Sequence, residues 1–287
     1  VSYNIVTITA GMNQFTGLDV VDGIIGQTWS DTAQLSFTLS GSKRTRVFEE
    51  AFMEYASYGD SLEGQLFYAL SDPKADNGDF DWDTYERWYR QTVVASMMQQ
   101  NIDRFELFPW PDRSFSPAPD RYKTTQLNVF SALQKLGGQA SQLYGGTPGI
   151  TFALSDSISS QYGASQIDGS TVDNFFGMTV PLLQLGIPVT VTALEKIQSA
   201  EDLKGVNLLI LSYDCQKPLS ETVNQAIAQW TREGGTVLYL GGFDQYEQIP
   251  DRWWMQKGQT PFENLLSHMG LEDIQRSVFT VDGYATL

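Results

Sequence analysis

Four short runs rich in β-branched and aromatic residues, separated by helical patterns and closed by a proline-rich joint, restrict this chain to a parallel α/β architecture. The runs are residues 4–9 (NIVTIT), 20–28 (VVDGIIGQT), 65–70 (QLFYAL) and 104–108 (RFELF). Between the second and third, Val47, Phe48, Ala51, Phe52 and Tyr55 share one helical face. Between the third and fourth, Tyr85, Trp88, Tyr89, Thr92, Val93 and Met97 keep the three-and-four spacing of an amphipathic helix. A βαβαβ order within one sheet demands parallel strands and right-handed crossovers.

The later runs end in polar and aromatic clusters: Trp29-Ser30-Asp31, Ser71-Asp72-Pro73, and Pro109-Trp110-Pro111-Asp112-Arg113. Functional groups at the carboxyl ends of parallel strands are the arrangement of a (β/α)8 barrel site, but a full barrel takes about 250 residues. The first unit is therefore either part of a barrel or an open sheet with its own ligand crevice.

The stretch SFSPAP (114–119) is an extended joint, because proline fixes φ and pushes the preceding residue out of the helical region. A helix is expected next, with Thr124 as its cap, Leu127, Phe130, Leu133 and Leu136 facing a core, and Gly137-Gly138 ending it. A second series follows: strand 150–154, helix 171–185, strands 189–192 and 206–211, helix 220–233, strand 236–240. The unbroken LLIL at 208–211 suits a strand covered on both faces. Val223, Ala226, Ile227 and Trp230 form one stripe of the last helix, which Gly234-Gly235 stops. The expectation is a partial (β/α)8 barrel over 1–118, a connecting helix and linker over 119–148, and a flavodoxin-like, doubly wound domain over 149–287. The chain starts at Val1 and stops soon after a strand-like run at 277–281, and it reads as a piece of a longer protein.

With such an order of units, the segments DLKGVNLLILS (202–212) and WTREGGTVLY (230–239) resemble the bacterial β-galactosidase-like glycoside hydrolases. There a catalytic barrel precedes a class I glutamine amidotransferase-like domain that lacks amidotransferase chemistry and helps to build a trimer. Leu70-Ser71-Asp72-Pro73, Pro109-Trp110-Pro111-Asp112-Arg113, SYDCQKP (212–218) and Arg252-Trp253-Trp254 are similar to segments of uncharacterised bacterial glycosidase-like proteins. In the family the acid/base follows the fourth barrel strand and the nucleophile the seventh. If the visible strands are the fifth to eighth, the resemblance puts Asp72 at the nucleophile position, where the family has Glu, and the acid/base lies upstream. It implies a fragment inactive alone, and carbohydrate as the partner.

Read for themselves, these residues have plainer roles beside the functional ones. Asp72 before Pro73 is either the catalytic carboxylate or a turn residue. Asp31 and Asp112 either bind sugar hydroxyls or cap a loop and pair with arginine, and Arg113 belongs to the same substrate-binding set. Trp29 and Trp110 offer aromatic faces to a pyranose or else close a core, and the prolines around Trp110 favour a rigid platform. The acidic loop 72–83 fails the calcium-loop template, with Pro73 and Ala75 where oxygen ligands belong, and reads instead as a cap for the next helix. An amidotransferase would need a Cys nucleophile with a base. Cys215 has no flanking Gly, and the one histidine, His268, falls on a late helix. No Gly-x-Gly-x-x-Gly, P-loop or metal-spaced cluster occurs, so no cofactor and no metal are expected. Residues 241–254, with Trp253 and Trp254, read as a packed lid between domains or subunits.

The net charge of −16 opposes nucleic acid and anionic membranes as partners, because phosphates would be repelled. With 41% hydrophobic and 13% aromatic residues there is material for two cores. No apolar run is long enough to span a bilayer, no signal-peptide pattern is present, and a single cysteine leaves the compartment open. These properties suit a soluble protein. The competing function is a non-catalytic carbohydrate-binding or assembly module. In either case a half-barrel would expose a strand edge and an apolar face, so a homo-oligomer is expected.

Overall fold

A computed structural model describes residues 2–6, 18–28, 36–39, 42–59, 64–72, 74, 80–99, 102–108, 110–136, 147–158, 169–242 and 244–272. The described residues form an α/β structure with two four-stranded parallel sheets and one small antiparallel ribbon.

The first sheet contains β1 (Ser2–Val6), β2 (Gly23–Thr28), β5 (Leu66–Ser71) and β6 (Phe105–Glu106), side by side in chain order. The ribbon of β3 (Ser36–Leu39) and β4 (Ser42–Thr45) was not anticipated from the residues and leads into α1 (Val47–Gly59). One face of the sheet carries Ile24, Phe67 and Ala69, which pack against Ala51, Phe52, Tyr55 and Tyr58 of α1. Gly26 makes that approach feasible, since a Cβ there would meet Phe67 at 2.4 Å and Tyr58 at 2.8 Å. Helix α2 (Trp82–Met97) buries the expected Tyr85, Trp88, Tyr89, Thr92 and Val93. Its N-cap is Asp81, whose Oδ1 accepts the Thr84 amide at 2.7 Å, the capping role expected of the acidic loop.

After the short α3 (Pro111–Ser114), helix α4 (Asp120–Leu136) departs from expectation. It begins four residues before Thr124, whose hydroxyl turns back to Asp120 O at 2.8 Å inside the helix. Its stripe is largely uncovered: Leu127 is 51% exposed, and Phe130 and Leu136 are exposed as well. The helix is held by its first turns, where Tyr122 is buried against Trp82 and Tyr89 and where Arg121 and Thr125 reach Glu86 of α2.

The second sheet has the order β10-β9-β7-β8, built from β7 (Ile150–Leu154), β8 (Thr190–Ala193), β9 (Leu208–Leu211) and β10 (Thr236–Tyr239). The chain runs outward from β7 to β8, then returns to the other side of β7 for β9. This order is compatible with a flavodoxin-like fold and places a topological switch point between β7 and β9. Alternate residues of the central strands serve two cores. Phe152 and Ile210 meet Phe175 and Phe176 of α5 (Gly169–Gln184), while Ala153, Leu209 and Leu211 meet Val223, Ile227 and Trp230 of α6 (Glu221–Arg232). Helix α7 (Pro261–Met269) lies beside α6, closed by a Thr260–Glu263 capping box and by Gly270 at φ 72°.

Helix α1 belongs to both halves. The cluster that includes Ile24 and Phe67 of the first sheet continues through Ala51, Phe52 and Met53 to Phe175, Val180 and Val191 of the second unit. Gln184 Nε2 of α5 also donates to Glu49 Oε1 of α1 at 3.2 Å.

Candidate functional site

Residues aligned across a parallel sheet project to the same face, and the face flips at every step along a strand. At the carboxyl edge of the first sheet, Gln27, Leu70 and Glu106 form one aligned row. Their face is opposite to the one covered by α1, and Asp72, two residues beyond Leu70, continues it. The side chains confirm the parity: Gln27 Nε2 donates to Asp72 Oδ2 at 3.3 Å.

Asp72 is only 2% exposed. Its Oδ1 accepts the Lys74 amide at 3.3 Å, and Arg113 Nη2 stands 3.7 Å from its Oδ2. Arg113 also donates to the carbonyl of Lys74, so one guanidinium clamps both ends of the turn after β5. The arginine expected among the substrate-binding residues thus binds the aspartate expected to be catalytic. Glu106 is half-buried at the end of β6, and burial pushes its carboxyl above the usual glutamate range.

Trp110 sits where the chain enters α3, with φ 48° and ψ 65°, a left-handed conformation uncommon for a bulky residue. Pro111 at the first helical position and the bonds from the Arg113 and Ser114 amides to Trp110 O hold it there. Its indole is 59% exposed, and Trp110, Pro111, Asp112 and Arg113 line a cleft of about 490 Å³. The structure therefore brings Asp72, Trp110, Asp112 and Arg113 to one edge. Trp29 and Asp31 lie outside the described residues.

The carboxyl edge of the second sheet is polar too, but its groups bind one another. Ligands of open α/β sheets enter the crevice at the switch point, and here the Gln216 amide crosses it. Gln216 Oε1 accepts the Ser155 amide after β7 at 2.7 Å, and its Nε2 donates to Ala153 O at 3.2 Å and Ser212 O at 2.8 Å. Beside it, Glu195 Oε1 accepts from Ser155 Oγ at 2.6 Å and from the Asp156 amide at 3.0 Å, and burial pushes its carboxyl up to about 6. Lys217 donates to Tyr213 O at 2.6 Å and pairs with Asp244 and Glu247 at 2.8 and 2.9 Å.

Cys215 takes φ 61° in this segment, buried, with its amide donating to Asp244 Oδ2 at 2.7 Å. His268 Nε2 lies 3.0 Å from Glu221 Oε1 across α6 and α7. The expected lid is folded onto its own unit: Trp253 Nε1 donates to Pro218 O at 2.9 Å, and Trp254, buried, donates to Glu247 O at 2.8 Å.

Gln27, Glu106 and Glu195 escaped the sequence reading. The one signal available for Gln27 and Glu106 was a polar residue inside an apolar strand run, at a position where the next strand also ends. Among the described residues, no group of three or more His, Cys, Asp and Glu is placed to hold a metal ion, and no helix is long and apolar enough to cross a membrane. The chain matches no protein-family model, no curated protein and no solved structure.

Proposed function

We propose that the carboxyl edge of the first sheet binds a saccharide on the plan of a glycoside hydrolase, with Glu106, in place of the upstream acid/base that the resemblance implied, as proton donor and Asp72 as the carboxylate that faces it. The observation that carries this reading is the shared face of the two carboxyls. Strand spacing and rise separate their backbone positions by about 8 Å, in keeping with the roughly 5–9.5 Å between carboxyl groups that glycoside hydrolysis employs. A glutamate that keeps its proton to higher pH suits the acid role. The exposed indole of Trp110 offers a stacking face for a pyranose, and Asp112 at the same cleft offers acceptors for its hydroxyls.

The architecture supports the reading. Four parallel strands in chain order, with α1 and α2 packed on one face, are what half of a (β/α)8 barrel would present. The second sheet, with its switch-point crevice crossed by Gln216, fits an amidotransferase-like domain without amidotransferase chemistry. The uncovered Leu127 and Phe130 on α4 favour self-association, which light scattering at micromolar concentration would register.

A non-catalytic, carbohydrate-binding role has its own support, because Asp72 is almost wholly buried and both its oxygens are engaged. One experiment separates the two: an aryl-glycoside panel, with saccharide binding measured in parallel, on the full chain and its Glu106→Gln and Asp72→Asn variants. Turnover abolished in both variants establishes the hydrolase. Binding without turnover, insensitive to Glu106→Gln, establishes the binding module. Neither binding nor turnover overturns the proposal.

A further inference from the structure

The row that carries Gln27 and leads to Asp72 is gripped from behind by one helix. Tyr55 Oη donates to Leu70 O at 2.8 Å and stands 3.5 Å from Ser71 Oγ, immediately before Asp72. One turn further along α1, Tyr58 Oη donates to Gln27 O at 3.4 Å. Both phenols are fully buried, and their rings meet edge to face at 6.3 Å. Two hydroxyls have thus been placed on the carbonyls of neighbouring strands at the level where the candidate site begins, with the buried Glu54 of the same helix beside both. A buried hydroxyl is costly unless bonded, so the bond from each phenol to a strand carbonyl favours the strand-end position that keeps it.

The same helix is held at its back by the second unit. Ala51, Phe52 and Met53 pack in the cluster that includes Phe175, Phe176 and Val191, and Gln99, just beyond the end of α2, donates to Phe52 O at 2.9 Å. The ends of β2 and β5 are thus bonded to α1, and α1 also packs in the cluster that reaches the second unit.

We propose that Tyr55 and Tyr58 are positioning residues for the site at the carboxyl edge of the first sheet. The functional meaning of this inference rests on the saccharide reading, but its physical content does not. Among the described residues, the groups around Asp72 include Arg113, the Gln27 amide and the Lys74 backbone amide, with Tyr122 near enough to feel its charge. If Tyr55 sets the end of β5, removing its hydroxyl shifts Asp72 relative to all of these.

The test is carboxyl-carbon NMR titration of Asp72 in the full chain, assigned through Asp72→Asn, together with hydrogen exchange of the Lys74 amide. Tyr55→Phe and Tyr58→Phe are compared with Met53→Ala, which loosens the same helix without touching a hydroxyl. We expect Tyr55→Phe to move the Asp72 midpoint by about half a unit or more and to speed Lys74 exchange. Met53→Ala should lower the melting temperature and leave the Asp72 midpoint in place. If Tyr55→Phe and Tyr58→Phe lower the melting temperature as Met53→Ala does and leave both Asp72 and Lys74 as in the parent, the phenols only pack and the inference is overturned. A shifted Asp72 in a protein that binds no saccharide would retain the positioning role and discard the saccharide reading.

Discussion

Lys217 places its ammonium 2.9 Å from the Glu247 carboxylate, and both side chains are only 3% exposed. Asp244 closes the pair from the other side at 2.8 Å, and the lysine's third proton goes to Tyr213 O. Breaking such a buried pair from one side strands uncompensated charge, at a cost of about 3–5 kcal/mol. Lys217→Met should lose stability of that order in urea unfolding. Adding Glu247→Leu to it should restore part of the loss. A Lys217→Met protein as stable as its parent would show that the pair is solvated.

Glu195 provides a pH signature. Its folded carboxyl, raised from 4.5 to about 6, holds a proton that the unfolded chain has already released between those values. The native state therefore binds more protons in that window, and stability must fall as pH rises through it, by about 2 kcal/mol. Below pH 4.5 both states are protonated and there is no penalty. Glu195→Gln, which keeps an acceptor for Ser155 Oγ, should flatten the stability profile between pH 4.5 and 6.5.

Glu221 has the opposite sign. Bonds from Lys257, Asn264 and His268 hold its carboxyl down at about 2. Its contribution is present above the unfolded value of 4.5 and is lost as pH falls from there toward 2. Glu221→Gln should reduce stability at neutral pH and make the acid limb of the unfolding profile shallower than in the parent.

Trp110 separates binding from folding. Because its indole is mostly solvated, Trp110→Ala should change unfolding free energy by no more than about 0.5 kcal/mol. Loss of a stacking face should at the same time weaken the proposed saccharide binding roughly tenfold. A large drop in stability without a change in affinity would make Trp110 a core residue.

Gly26 links packing to the site. A methyl group there would run into the rings of Phe67 and Tyr58. Gly26→Ala should cost about 1–3 kcal/mol, and it should disturb the bond from Tyr58 to Gln27 O. Circular dichroism melts and the Asp72 titration together would register both effects.

What local pattern alone determined is considerable. The periodicity of α2, with Tyr85, Trp88, Tyr89, Thr92 and Val93 on one face, needed no knowledge of what covers it. The unalternating LLIL of β9 announced a strand buried on both sides, and the stripe of α6 together with Gly234-Gly235 marked that helix and its end. These are short-range properties, set by side-chain spacing and backbone sterics.

Tertiary structure decided the rest, for two physical reasons. Spacing shows that a helix has an apolar stripe but not how far a neighbour covers it, so Leu127 and Phe130 of α4, assigned to a core, stay about half exposed. Register, too, is invisible from one strand. Glu106 is an isolated glutamate in a two-residue strand until its pairing with Leu70 aligns it with Gln27 and brings it to the face of Asp72. Asp72, Trp110, Asp112 and Arg113 were legible because loops advertise themselves by composition. The phenols of Tyr55 and Tyr58 were not, since in the sequence they are two more aromatic residues on a buried helical face, and only the folded sheet edge supplies the carbonyls that give their hydroxyls a role.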